Sequence, residues 1–237
     1  MNLEKQISDI LTESFLEEII NIRRQLHQHP ELSFKEYKTS ETIRGLLDSW
    51  GIEYTYPHVK TGIVARMKGK QKGKRIALRS DMDALPISEQ TGLAFASRNK
   101  GVMHACGHDM HMASLLGTIR LLDQLKHEIH GELLFLFQPG EELLPGGASL
   151  MLEEDVFKDR EPDMIIAQHV LPEMEAGHVG FKAGMYMAAN DEVYIRVKGK
   201  GGHAALRQNI KDPILMASRI LLNLQEEIMS KGPADSP

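Results

Sequence analysis

Three short apolar runs in this chain each stop at side chains able to hold a metal, and that coincidence constrains the fold more than any other feature. Residues 75–80 run into Asp81-Met82-Asp83-Ala84-Leu85-Pro86, residues 133–137 into Gln138-Pro139-Gly140-Glu141-Glu142, and residues 164–168 into His169. Apolar runs of this length bounded by turn residues read as buried strands. Between them lie segments of helical spacing, such as residues 108–125 with Met112, Leu115, Leu116, Ile119 and Leu122. Alternating strands and helices predict an α/β sheet with helices on both faces. In open sheets of this kind, sites collect at the carboxyl ends of the strands. Asp81, Asp83, Glu141, Glu142 and His169 are therefore expected to share one end of the sheet.

The rest of the pattern fits around this frame. Ile7, Ile10, Leu11, Phe15, Ile19, Ile20, Ile22 and Leu26 have helical spacing, and a second helix is expected over residues 33–49. Strands are predicted at 52–56 and 62–68. The basic run 68–75, with Gly69 and Gly73, reads as the solvated turn of a hairpin joining 62–68 to 75–80. A further helix is expected near 148–154. From about residue 189 the character changes: Glu192 to Val197 alternates as a half-exposed strand, residues 199–202 form a glycine-rich turn, and 213–229 form a helix. The expected division is a metal-binding catalytic domain over 1–186 and the start of a second domain over 187–237. One strand and one helix cannot close a core by themselves.

Charge and cysteine usage exclude several functions. With 28 basic against 33 acidic residues, a net charge of −5 disfavours a nucleic-acid or anionic-membrane surface. No stretch approaches the ~20 apolar residues of a membrane span, and the charged, amphipathic N-terminus is unlike a signal sequence. A cytoplasmic protein is expected. The single cysteine cannot form an intrachain disulfide and is free to serve as a thiolate ligand.

The densest chemistry lies in His104-Ala105-Cys106-Gly107-His108-Asp109-Met110-His111, a thiol and three imidazoles within eight residues. Gly107 permits a turn through which Cys106 and His108 can face one point. His111 could share their helix face or serve as a packing residue. Glu141 and Glu142 point in different directions in an extended backbone, which suits one as ligand and the other as proton acceptor. Asp83 could bind metal or receive a histidine N–H. His203, in a flexible Gly201-Gly202-His203-Ala204 turn, is a candidate to polarise a substrate carbonyl. A rival reading makes Cys106 a nucleophile and His108 its base, but neighbours one residue apart rarely reach that geometry.

Together these residues resemble the M20 family of metallopeptidases and amidohydrolases, in the branch of aminoacylases, hippurate hydrolases and auxin-conjugate hydrolases. The resemblance is carried by Arg24-Gln25-Leu26-His27 with His29-Pro30-Glu31-Leu32-Ser33, by the 81–86, 104–109 and 137–142 motifs, and by Gly201-Gly202-His203-Ala204. It implies a zinc-peptidase-like α/β domain with an inserted α+β lid and dimerisation domain, and hydrolysis of an amide in N-acyl amino acids or small peptide-like substrates. It also implies two divalent metal ions, zinc first, with manganese, cobalt or nickel as alternatives. Cys106 would bridge them, and His108, Glu142 and His169 would complete this chain's ligands. Glu141 would be the general base, His203 the oxyanion stabiliser and Asp83 the residue orienting a ligand. Family members continue past this length, finish the lid and supply one more histidine ligand. A homodimer is expected where the lid is complete. The alternative expectation is an incomplete chain that binds metal weakly or needs a complementing chain.

Overall fold

In the computed structural model, which describes residues 2–186, 192–203 and 205–231, the chain begins with α1 (Leu3–Ile10), α2 (Glu13–Gln28) and α3 (Tyr37–Trp50). The strands are β1 (Glu53–His58), β2 (Gly62–Lys68), β3 (Gln71–Asp81), β4 (His130–Gln138) and β5 (Met164–Ala167). Helices α4 (His108–Gln124) and α5 (Gly147–Glu153) precede and follow β4, and α6 (Pro213–Lys231) lies near the end. Two compact units result, Met1–Glu173 and Met174–Pro237.

The five strands among the described residues form one sheet in the order β1-β2-β4-β3-β5. The expected hairpin between β2 and β3 does not form, because β4 inserts between them, antiparallel to β2 and parallel to β3. The glycines of 68–75 serve a crossing instead of a tight turn. The Gly69 N–H donates to Gly131 O at 2.9 Å, and a Cβ on Gly131 would sit 2.0 Å from Lys74 O. The connection thus passes over the start of β4 at a distance that only glycine tolerates.

At the centre of the sheet both faces are covered, as the alternation requires. Ile63, Ala65, Met67, Phe135 and Phe137 point into a core with Ile22 and Leu26 of α2, Ile43 and Leu47 of α3, and Met112, Leu116 and Ile119 of α4. Val64, Ala77, Leu134 and Leu136 point the other way, onto Met151 of α5. β5 corrects an expectation. Its apolar run predicts a buried strand, yet Met164, Ile165 and Ile166 are each about half exposed; among the described residues β5 is an edge strand paired only with β3. An apolar run signals compatibility with burial on both faces; it does not specify the neighbour that would cover it.

The parallel registers position the site. Asp81 pairs with Gln138 and Arg79 with Ala167, so the three chains leave the sheet side by side. The segments 81–83, 139–142 and 168–169 therefore emerge at one end of the sheet.

In the second unit, Asp212 caps α6 by accepting from the Ile214 and Leu215 N–H groups, with Pro213 at the first helical position. The strand expected over 192–197 is absent. Val193, Tyr194 and Ile195 are exposed, and among the described residues of this unit none pairs with them; a strand exists only with a neighbour. The only pairing there is an isolated bridge between Lys200 and Lys211 among the described residues. Residues 187–191 and 232–237, and Ala204 of the glycine-rich motif, lie outside the described residues. No helix among the described residues is long and apolar enough to cross a membrane.

Candidate metal centre

Gly107 sets the local geometry. At φ 84° it is the N-cap of α4, a left-handed conformation that L side chains disfavour. A Cβ there would also lie 2.6 Å from Val170 Cγ2. The resulting turn places Cys106 outside the helix and His108 at its first position, facing the same point. Gly107→Ala is expected to cost about 1–2 kcal/mol from the backbone conformation, plus displacement of Val170 beside His169. A thermal melt with metal content measured on the same sample checks this: both should fall.

The hydrogen bonds fix which ring nitrogen each histidine presents. His108 Nδ1 donates to the Asp83 carbonyl at 2.9 Å, leaving the Nε2 lone pair free; that atom is buried and has no hydrogen-bond partner. Glu142 Oε1, likewise buried and without a hydrogen-bond partner, is 3.8 Å away, and Glu141 Oε2 is 4.0 Å away. His169 Nδ1 donates to the Val170 carbonyl at 2.7 Å, which turns its Nε2 toward Cys106 Sγ at 3.3 Å. The ligand atoms of Cys106, His108 and His169 lie within 4.8 Å of one another, and so do those of His108, Glu141 and Glu142. His108 is common to both groups and to a third, with Asp81 and His111.

His111 behaves differently, which decides a choice the sequence leaves open. Its Nδ1 donates to Asp81 Oδ1 at 2.7 Å, and its Nε2 accepts from the Val170 N–H at 3.0 Å. Both nitrogens are engaged, so His111 tethers the backbone next to His169 and presents no free lone pair. Asp83 makes a second such link. Its Oδ2 accepts from Ser33 Oγ at 2.6 Å and from the Glu142 N–H at 2.9 Å, while its carbonyl holds His108.

The electrostatics ask for a cation. Burial, reinforced by Glu142, Glu141 and Asp81, pushes the Cys106 thiol up to about 12. A thiol so surrounded is not an activated nucleophile, and its Sγ contacts His169 Nε2 instead of the His108 ring that the cysteine-hydrolase rival needs as base. Burial opposes ionisation of Asp81, but the His111 hydrogen bond and the Arg79 guanidinium outweigh it and hold Asp81 near 2. Burial and the neighbouring Glu142 raise the Glu141 pKa above the usual carboxylate range. Buried acceptors without donors are costly. A convergence of sulfur, imidazole nitrogen and carboxylate oxygen, two of its atoms orphaned, fits a divalent metal by donor chemistry as well as by charge.

Sequence reasoning missed the supports. His27 Nδ1 contacts Asp109 Oδ2 at 2.9 Å, and Arg23 Nε lies 2.7 Å from the same oxygen, tying α2 to the residue after His108. The hydrogen bond to Asp109 raises the His27 pKa against burial. Buried His104 is depressed to about 4 by burial and stays neutral. The Arg24-Gln25-Leu26-His27 pattern flagged this stretch, but a charged side chain on an amphipathic helix looks like a solvated face until its partner is known. His203 lies in the second unit, exposed, its Nδ1 accepting from the Ala205 N–H at 3.2 Å.

The chain is similar to known proteins along most of its length. The chain is 46% identical over 209 residues to an N-acyl-L-amino acid amidohydrolase of Geobacillus stearothermophilus, covering 88% of this chain and 56% of that protein. It is 45% identical over 222 residues to an N-acetyldiaminopimelate deacetylase of Bacillus velezensis, covering 93% and 59% respectively. The chain thus spans somewhat over half the length of these relatives. A solved dinuclear metal-binding peptidase from the M20 family, of Bacillus subtilis, superposes with a TM-score of 0.69 at 46% identity over 73% of this chain and 48% of that one. A structure from methicillin-resistant Staphylococcus aureus superposes at 0.77 with 35% identity over 98% of this chain and 61% of that one. The profile of peptidase family M20/M25/M40 matches residues 77–233, from the middle of β3 past the end of α6, and it is to this family that the chain belongs.

Proposed function

We propose that the protein hydrolyses the amide bond of N-acyl amino acids or small peptide-like substrates, with a pair of divalent metals held by Cys106, His108, Glu142 and His169. The observation that carries this reading is the convergence of Cys106 Sγ, His169 Nε2, His108 Nε2 and the 141–142 carboxylates at the carboxyl end of the sheet. The names of the relatives support the substrate class, an N-acyl-L-amino acid amidohydrolase and a deacetylase among them. Zinc suits a thiolate and imidazole set best, with manganese, cobalt and nickel as alternatives. Cys106 would be shared between the two ions.

The metals, when bound, would supply Lewis acidity toward the substrate carbonyl and an attacking water. The chain's own residues do the rest. Glu141, about two-fifths exposed, is the group open enough to take a proton from water and return it to the departing amine. Asp83 keeps the His108 ring and the Glu142 backbone in register with each other. His203 stabilises the oxyanion as a donor carried by the second unit. On this reading residues 187–237 begin a lid and dimerisation domain, the protein is a homodimer through it, and its site is in the cytoplasm, where a lone thiol stays reduced.

Amine release from a panel of N-acyl amino acids, with metal content measured alongside, tests the assignment. His203→Ala is expected to lower turnover by about 10²-fold with metal content unchanged. Unaltered turnover would remove His203 from the chemistry, and no hydrolysis across the panel by metal-loaded protein would overturn the substrate class.

A further inference from the structure

The Glu31-Leu32-Ser33 motif and the residues after it have no role in the chemistry just described, yet they touch the site at two points. Ser33 holds Asp83, as above. Glu36 does something less expected. It occupies the N-cap position of α3, where an acidic side chain ordinarily accepts from its own helix, but it makes no capping hydrogen bond. Glu31 takes over that task, its Oε2 accepting from the Thr39 N–H at 2.9 Å and the Thr39 hydroxyl at 3.0 Å.

Glu36 is thereby released to reach across the molecule. It is fully buried; its Oε1 accepts from the Gly140 N–H at 2.8 Å and its Oε2 from Thr61 Oγ1 at 2.7 Å. Burial raises its pKa, opposed by these hydrogen bonds. A buried carboxyl whose side-chain hydrogen bonds go to a distant backbone amide and a hydroxyl is expensive unless it does something local.

Gly140 is gripped from every side. It sits at φ 58°, and a Cβ would lie 2.3 Å from the Phe34 ring, so that ring packs directly on its backbone. Phe34 itself holds φ 62°, an uncommon conformation for an aromatic residue and one that stores strain. On the other side the Gly140 carbonyl accepts from the Gly147 N–H at 2.8 Å. The next two residues are Glu141 and Glu142.

We infer that Glu36 is a positioning residue: with Phe34 it fixes the Gly140 peptide, and through it the directions in which Glu141 and Glu142 leave β4. The inference rests on the proposed metal site, since it assigns Glu36 a role through Glu142. What it adds is that segment 31–36 works as a clamp, Ser33 on Asp83 and Glu36 on Gly140, aligning two strand ends toward one point. The role needs an acceptor at Gly140 and not a charge, so glutamine should substitute and an apolar residue of similar size should not.

The test is titration of the full chain with Co(II), followed by d–d and thiolate charge-transfer absorption, for Glu36→Gln, Glu36→Met, Thr61→Val and Glu142→Gln, with circular dichroism melts on each. Expected are Co(II) affinity near wild type for Glu36→Gln, about 10-fold weaker for Glu36→Met, a smaller loss for Thr61→Val, and a loss at least as large as that of Glu36→Met for Glu142→Gln. If Glu142→Gln weakens binding but Glu36→Met, still folded, binds as wild type does, the clamp is overturned and the metal site stands. If Glu36→Met does not fold, Thr61→Val decides: unchanged affinity overturns the clamp. If Glu36→Gln loses as much affinity as Glu36→Met, charge and not acceptance matters, and the mechanism stated is wrong. If Glu142→Gln binds Co(II) normally, the ligand assignment fails and the inference falls with it.

Discussion

Replacing Glu141 by glutamine is expected to lower hydrolysis of N-acyl amino acids by about 10²–10⁴-fold while leaving bound metal near the wild-type level. The substitution keeps the shape and the backbone of the strand end but removes a base that can hold a proton. Geometry separates the two adjacent acids. Glu142 is the more enclosed, with a buried Oε1 3.8 Å from His108 Nε2 and a backbone N–H held by Asp83. Glu141 is more open, and its Oε2 stands off at 4.0 Å. Burial and the adjacent Glu142 raise its pKa, bringing it closer to the value a general base needs at neutral pH. Loss of metal in Glu141→Gln would mean that the two roles are exchanged.

The second large effect is expected at Cys106. Cys106→Ala should lower the metal content by at least about one ion per chain, because the thiolate is the donor that two ions would share. Burial first, then Glu142, Glu141 and Asp81, disfavour a free thiolate, so a cation beside it is what favours ionisation. Metal should accordingly protect Cys106 from iodoacetamide, and stripped protein at neutral pH should react slowly. An unchanged metal content in Cys106→Ala would remove it from the ligand set.

What the sequence disclosed, and what it withheld, divides along a physical line. Period and punctuation are local, so β2 over Gly62–Lys68 and the start of α4 at His108 were legible from apolar spacing and Gly107. The convergence of 81–83, 141–142 and 169 was legible because strand ends in such sheets meet. Neighbour order is not local. Nothing in residues 68–75 says that β4, sixty residues later, will lie between β2 and β3, nor do the apolar side chains of β5 say whether anything covers them. The strand expected over 192–197 failed for the same reason: alternation is a property of the segment, pairing a property of its partner.

The supports of the site were hidden by a related ambiguity. Glu36 falls inside the helix expected over 33–49, and only the position of Glu31 and the approach of Gly140 reveal that its side chain leaves the helix to hold a distant peptide. His27 and Arg23 read as the polar stripe of α2, although both close on Asp109. His111 was ambiguous in the sequence because ligand and tether need the same residue at the same spacing. Its two hydrogen bonds, to Asp81 and from Val170, resolve the matter.

The central claim is that these strand ends form a dinuclear metal centre, and elemental analysis of the purified chain after equilibration with zinc tests it most directly. The account predicts about two divalent ions per chain, falling in Cys106→Ala and unchanged in Glu141→Gln. A chain that is folded by circular dichroism and binds no zinc would contradict it.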